Sequence, residues 1–180
     1  MPEAEQPARI LRIVEGVPRV VEDAWRLVDS AAEWEALGGA GGVLLPLDLA
    51  LSHPERLGGA PAARPWGVRL APADDPVRAV PLFAHIALIG VDFPKFTDGR
   101  GYSTAVLLRT RLGWRGELRA LGDVLQDQLQ ALRRVGFDSF ALRADRDPQA
   151  ALAGFGVFSD AYQGSVDQPL PAFRRRPAAA

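Results

Sequence analysis

The sequence predicts an α/β fold whose C-terminal half is a βαβαβα unit of parallel strands, an open sheet or partial barrel, with a small N-terminal β-hairpin. Three observations carry this. Ile86 to Phe93 (IALIGVDF) is a continuous apolar run ending beside an acid, the pattern of a strand buried on both faces of a parallel sheet. From there strand and helix patterns alternate three times, which implies right-handed crossovers between adjacent parallel strands. Near the N-terminus, two short apolar runs flank Glu15-Gly16, a turn signal.

Taken in order, Ile10 to Val21 forms the hairpin, with Ile10, Val14, Val17 and Val20 or Val21 available for a buried face. Glu22 to Leu37 mixes Trp25, Val28 and Leu37 with charged residues and reads as a helix or an irregular segment, ending in the turn GGAGG at 38–42. Val43 to Leu47 and Trp66 to Leu70 fit short buried strands, separated by the Pro- and Gly-rich 58–65. Ala71 to Pro76 (APADDP) is a loop by composition, leading into a short helical turn at 77–84.

In the C-terminal half, Pro94 to Gly101 breaks the 86–93 strand. Ser103 to Leu112 then places Val106, Leu107 and Leu112 at helical spacing before Gly113. Gly116 to Leu121 is the second strand. Gly122-Asp123 turns into a helix with Leu125, Leu129 and Leu132 at i, i+4 and i+7, and Asp123 with Gln126 is the expected capping box. That helix ends at Gly136, Phe137 to Arg143 is the third strand, and Pro148 to Tyr162 the last helix. One domain over 10–167 is expected, with disordered ends at 1–9 and 168–180.

Composition removes several chemistries. The 180 residues include no Cys, which excludes disulfides, thiolate metal sites, iron–sulfur clusters and Cys nucleophiles. A net charge of -1 gives no positive field for nucleic acid. His53 and His85 show neither metal spacing nor a triad, and no phosphate loop or dinucleotide fingerprint follows a strand. A magnesium site on Asp92 and Asp98 has no supporting spacing. The start MPEAEQPARI lacks the apolar core of a secretory leader, and the longest apolar stretch, 79–91, is broken by Pro81 and His85. No membrane contact and a cytoplasmic location are therefore expected.

Ligands of open parallel sheets and barrels bind beyond the carboxyl ends of the strands. The first strand of the repeat delivers Asp92, Lys95, Thr97, Asp98, Arg100, Tyr102 and Ser103 there. The second delivers Arg119 and Asp123, the third Arg143 and Asp145. Lys95 is the sole lysine among 21 lysine and arginine residues, and a compact ammonium can act as an acid–base or Schiff-base group where a guanidinium cannot. Lys95, Asp92 and Asp98 are the candidate catalytic residues. Arg100, Arg119 and Arg143, with Tyr102 and Ser103, are the candidate contacts to a small oxyanion. The same residues admit a second explanation: the carboxylates cap turns and the arginines pair with them. Glu117 and Arg119 share a strand face and equally fit a mutual ion pair.

The segment from Val91 to Asp145, with DFPKFTDGRGYS and GELRALGDVLQDQL, closely resembles a bacterial family of unknown function whose members are labelled oxidoreductases of sulfite reduction. The resemblance extends from about Ile10 to Gln163 and includes VVEDAW, GGVLLPLDLAL and GVRLAPADDP. It implies a place in sulfate assimilation, beside sulfite or nitrite reductase or a sulfonucleotide reductase as partner. It specifies no cofactor and no catalytic residues. Multi-electron sulfite reduction needs redox centres, and the sequence offers neither cluster ligands nor a dinucleotide motif. The expectation is an accessory protein that binds a reductase or its oxyanion. The alternative is a small cofactor-dependent or lysine-based enzyme at Asp92, Lys95, Asp98 and Arg100. A homodimer covering open strand edges is a further expectation.

Overall fold

The computed structural model describes residues 8–37, 41–57 and 65–175. Most of the expected N-terminal tail, the first three residues of GGAGG and most of the Pro- and Gly-rich 58–65 lie outside the described residues. Eight strands form one sheet: β1 (Arg9–Val14), β2 (Val17–Glu22), β3 (Trp25–Leu27), β4 (Gly42–Pro46), β5 (Trp66–Leu70), β6 (Leu88–Phe93), β7 (Glu117–Gly122) and β8 (Ser139–Phe140). Their order is β2-β1-β8-β7-β6-β5-β4-β3. The six strands from β3 to β8 run parallel. The hairpin β1–β2, turned by Glu15 and Gly16 with positive φ, joins antiparallel beside β8.

This topology forces the sheet to curl. β2 and β3 are opposite edges, yet only Asp23 and Ala24 connect them, and three Cα steps of about 3.8 Å leave the edges close together. The sheet is an open half-barrel, and the expected βαβαβα unit is its β6-to-α6 portion. Helices cover the convex side: α1 (Ala31–Ala36), α2 (Leu47–Ser52), α3 (Pro54–Leu57), a 3-10 turn at Pro76–Leu82, α4 (Arg100–Thr110), α5 (Leu129–Arg134) and α6 (Pro148–Ala151). A last turn, α7 (Ala172–Arg175), lies in the segment from Gln168 expected to be disordered; 176–180 lie outside the described residues.

Strand alternation divides the interior in two. Val43, Leu45, Val68, Ile89, Val91, Phe93, Leu118 and Phe140 point outward and pack with Leu108 of α4 and Leu129 and Leu132 of α5 in the main core. On the concave side Leu44, Leu88 and Leu121 meet Trp25 and Ala141. Two strand glycines, Gly42 and Gly90, make this possible. A Cβ at Gly42 would lie 2.5 Å from the Trp25 ring, and one at Gly90 2.5 Å from Leu121, so bulky neighbours occupy the space their side chains leave.

Four local expectations are corrected. Trp25 lies in a strand, because pairing with β4 places its ring over Gly42. Asp123 does not cap the following helix; the helical turn starts two residues later, where the Gln128 side chain accepts from the Leu125 N–H at 2.9 Å. The third strand shrinks to Ser139–Phe140, since beyond Phe140 the chain turns to bond the β7–α5 connection through Arg143 N–H and Val124 O. The 148–162 helix holds only to Ala151 before a 3-10 segment, Leu152–Gly156. There Gly154 lies against the Gln126 backbone, and a Cβ would come within 2.3 Å.

Candidate functional site

The loop after β6 is built on Asp123. Its own N–H reaches Phe93 O at 2.7 Å, and one carboxylate oxygen accepts from Phe96 N–H at 2.8 Å. Gln128 donates to Phe96 O at 3.3 Å. The other oxygen of Asp123 accepts from Arg143 at 3.1 Å, and Arg143 makes a bidentate pair with Asp145 at 2.7 and 3.0 Å. Asp123 thus joins the loops of three neighbouring strands.

Arg100 is likewise engaged. Its Nε and Nη2 grip Asp98 at 3.0 and 2.6 Å, and these bonds hold the Asp98 carboxyl down at about 2. Lys95 is exposed and makes no ion pair among the described residues; Phe96 beside it is also exposed. Ser103 faces solvent on α4. Tyr102 is half-buried with its ring edge against Phe93 at 5.6 Å, and burial raises its phenol.

Arg119 does not stand at the strand ends. It lies mid-strand on the concave face, fully buried, donating to Glu117 at 2.8 and 3.2 Å, to Ser139 at 3.2 Å and to Asp23 at 2.8 Å. The two arginines at the edge, Arg100 and Arg143, sit in separate carboxylate pairs, so the structure does not bring the expected three arginines together.

The strand ends do hold one cluster that sequence reasoning missed. Arg69 at the end of β5 bonds Asp29, which follows β3, and lies 3.5 Å from Asp92 at the end of β6. Asp92 is raised above its usual range by burial, which Arg69 opposes and Asp29 and Asp74 reinforce. The apolar-flanked arginine in GVRL is the sequence signal for this cluster, but only the β4-β5-β6 register shows what it meets. Among the described residues no group of three His, Asp or Glu could hold a metal ion.

A second feature lies on the helical side. A depression of about 670 Å³ opens between α4, α5 and the segment 157–165. It shares Tyr102 and Val135 with a neighbour of about 400 Å³ along α4, and Asp127 and Val157 with one of about 340 Å³ near Gly154. The three form one trough, bordered by Val157, Phe158 and Tyr162, each more than 60% exposed. Gln130 exchanges two hydrogen bonds with the Phe158 backbone at 3.0 and 3.2 Å, Arg134 bonds Gln163 O, and Ser165 donates to Arg134 O at 2.7 Å.

A family profile described as "Bacterial protein of unknown function (DUF934)" matches residues 67–173, more than half of the chain. The chain belongs to this family. No curated protein and no solved structure matches it. In this DUF934 member the whole trough falls inside the matched segment, whereas Asp29 of the strand-end cluster falls outside it. No helix among the described residues is long and apolar enough to cross a membrane.

Proposed function

We propose that this protein is an accessory component of assimilatory sulfite reduction that binds a reductase partner and carries no redox step itself. The observation that supports this reading best is the contrast between two faces. Each candidate anion-binding arginine, Arg100 and Arg143 at the strand ends and Arg119 inside the sheet, already has a carboxylate partner, so an incoming oxyanion must displace one. On the helical face a trough that displays apolar and aromatic side chains among polar ones is open among the described residues within the family's shared segment, a composition suited to a protein partner. The resemblance to proteins associated with sulfite reduction supplies the class of partner: a sulfite or nitrite reductase, or a sulfonucleotide reductase.

Deleting the gene in its host and growing the strain on single sulfur sources tests the pathway. Growth on sulfide with failure on sulfate and sulfite is expected. Normal growth on sulfite, with no paralogue to compensate, removes the assignment. Co-purification of co-expressed reductase with the tagged chain tests the partner.

A second reading, a small enzyme, is favoured by one observation: Asp92 is half-buried at a barrel strand's carboxyl end, its carboxyl raised, beside Arg69. In that reading Asp92 exchanges a proton, with Lys95 as acid–base or Schiff-base residue and a cofactor left open. The Asp98–Arg100 pair is satisfied within itself. A folded Asp92→Asn variant that binds the reductase normally yet fails to restore growth selects the enzyme; one that restores growth selects the accessory role.

A further inference from the structure

The trough has a chemical polarity that identifies its occupant more narrowly. Three observations matter: what forms its walls, what its backbone groups are doing, and where its charges stand.

The walls are two helices and an irregular strap, and no strand edge lines them. An extended peptide that adds to a sheet therefore has nothing to pair with. The strap's own polar backbone is already used where it crosses α5, at Phe158 and Gln163. Recognition is left to side chains: Tyr102, Val106 and Val135 along α4 and α5, and Val157, Phe158 and Tyr162 on the strap. Tethering at two points on α5 holds the strap in place, so aromatic anchors are displayed at little ordering cost.

The charges are asymmetric along the trough. At the end where α4 terminates, Arg111 lines the depression. A separate hollow of about 360 Å³, whose Arg109 and Gly136 are chain neighbours of Thr110 and Val135 in the trough, is lined also by Arg115 and Arg133 together with Asp138 and Asp167. Both carboxylates there are engaged, Asp138 with Arg109 and Asp167 with Arg134 at 3.9 Å. Arg111 and Arg115 are exposed and make no ion pair among the described residues. At the opposite end stand Asp127, also exposed, and Arg146, which pairs with Asp145 at 3.6 Å. One end is thus electropositive and the other close to balanced.

We infer that the trough docks an amphipathic helical segment of a partner protein, apolar on one face and acidic at the end that meets Arg111 and Arg115. Helix-in-groove binding takes anchors at i, i+3, i+4 and i+7, and the free guanidiniums fix the direction in which the helix lies. The inference rests on the accessory reading above and adds the chemistry of the segment a reductase must present.

The test uses the full chain and two labelled probe peptides of about 18 residues, each helical with a leucine face. One carries glutamates clustered at one end, the other lysines in their place. Fluorescence anisotropy should show the acidic peptide binding roughly tenfold or more tighter than the basic one, with the difference shrinking as salt rises. The double variant Arg111→Glu, Arg115→Glu should reverse that preference, and Val106→Glu should weaken both peptides. Arg26→Glu, far from the trough on β3, is the control, with unchanged urea midpoints verifying folding.

Equal binding of both peptides, binding of neither, or binding untouched by the trough variants overturns the inference. The two ideas separate cleanly. A reductase that co-purifies equally with wild type and the Val106→Glu variant leaves the accessory role standing and removes this site. Peptide binding as described with no reductase captured keeps the site and removes the named partner.

Discussion

Nη1 of Arg119 in β7 lies 2.8 Å from Oδ1 of Asp23, one of the two residues that join the sheet's two edges. The bond crosses the concave face between residues 96 apart in sequence. Its partners Glu117 and Ser139 complete a network in which the Arg119 and Glu117 side chains are 3% and 9% exposed. Arg12, half exposed, adds a contact to Glu117 at 3.2 Å from β1. The network therefore ties β1, β7, β8 and the β2–β3 junction into one curled unit.

Removing the shared cation leaves the Asp23 carboxylate without its ion-pair partner and Glu117 with only the half-exposed Arg12. Arg119→Met should cost about 3–5 kcal/mol, the range for breaking a buried pair from one side. Urea unfolding checks this. A loss below 1 kcal/mol would mean that the curl holds without the network.

Gly122 and Gly113 separate backbone strain from steric conflict. Both have positive φ, +94° and +75°. A Cβ at Gly122 would lie 2.5 Å from Phe93 O, whereas one at Gly113 would meet nothing within 4 Å. Gly113→Ala should cost about 1 kcal/mol, from the left-handed conformation alone. Gly122→Ala should cost clearly more, about 2–3 kcal/mol, because strand β6 must move. Thermal unfolding of the two variants gives the comparison directly.

How far the sequence reached is clearest at particular positions. The 86–93 strand was legible because continuous burial on two faces needs a continuous apolar run, and Gly136 marked a helix end because its φ of +105° suits glycine. β3 was not legible: three residues centred on Arg26 carry no periodicity, and only pairing with β4 makes them a strand. The candidate site was partly legible. That polar residues gather at the strand ends follows from topology, but which carboxylate takes which arginine depends on register. Arg119 and Arg143 looked alike in sequence, yet one is sealed inside the sheet and the other lies at its rim. Arg69 meets Asp29 across 40 residues, a distance that no local spacing encodes.

Asp123 should control the mobility of the loop carrying Lys95 and Phe96. Asp123→Ala frees the Phe96 amide and removes one of Arg143's three side-chain hydrogen bonds, a loss of about 1–2 kcal/mol in local stability. Amide exchange at Phe96 should accelerate about tenfold, while amides in β4 stay as in wild type. Unchanged exchange at Phe96 would show that the loop is held by Gln128 instead.

The Asp98–Arg100 pair makes a pH prediction of defined sign. Asp98 is held at about 2, below its ordinary 3.8, first by the Arg100 side-chain hydrogen bonds. A depressed carboxyl stabilises the fold above its unfolded value and loses that contribution as pH falls toward 2. Arg100→Ala should return the Asp98 midpoint toward 3.8, followed by carbon NMR of the carboxyl. The exposure of Arg100, 60% of its side chain, keeps the effect on global stability small.

Asp92 carries the opposite sign. Burial raises its carboxyl above 3.8, with Arg69 pulling the other way. The folded state therefore holds the proton more tightly than the unfolded chain, so this contribution to stability is complete below 3.8. It fades as pH rises through the raised folded value. Asp92→Asn cannot ionise and should lose that slope, gaining on wild type as pH climbs through the window. Arg69→Met removes the opposing cation and should push the Asp92 midpoint higher still, read by the same carboxyl NMR titration. A midpoint in that variant at or below the wild-type one would show that Arg69 does not act on Asp92. Asp92 would then lose the guanidinium partner on which the enzyme reading depends, leaving the helical trough as the stronger functional feature of the chain.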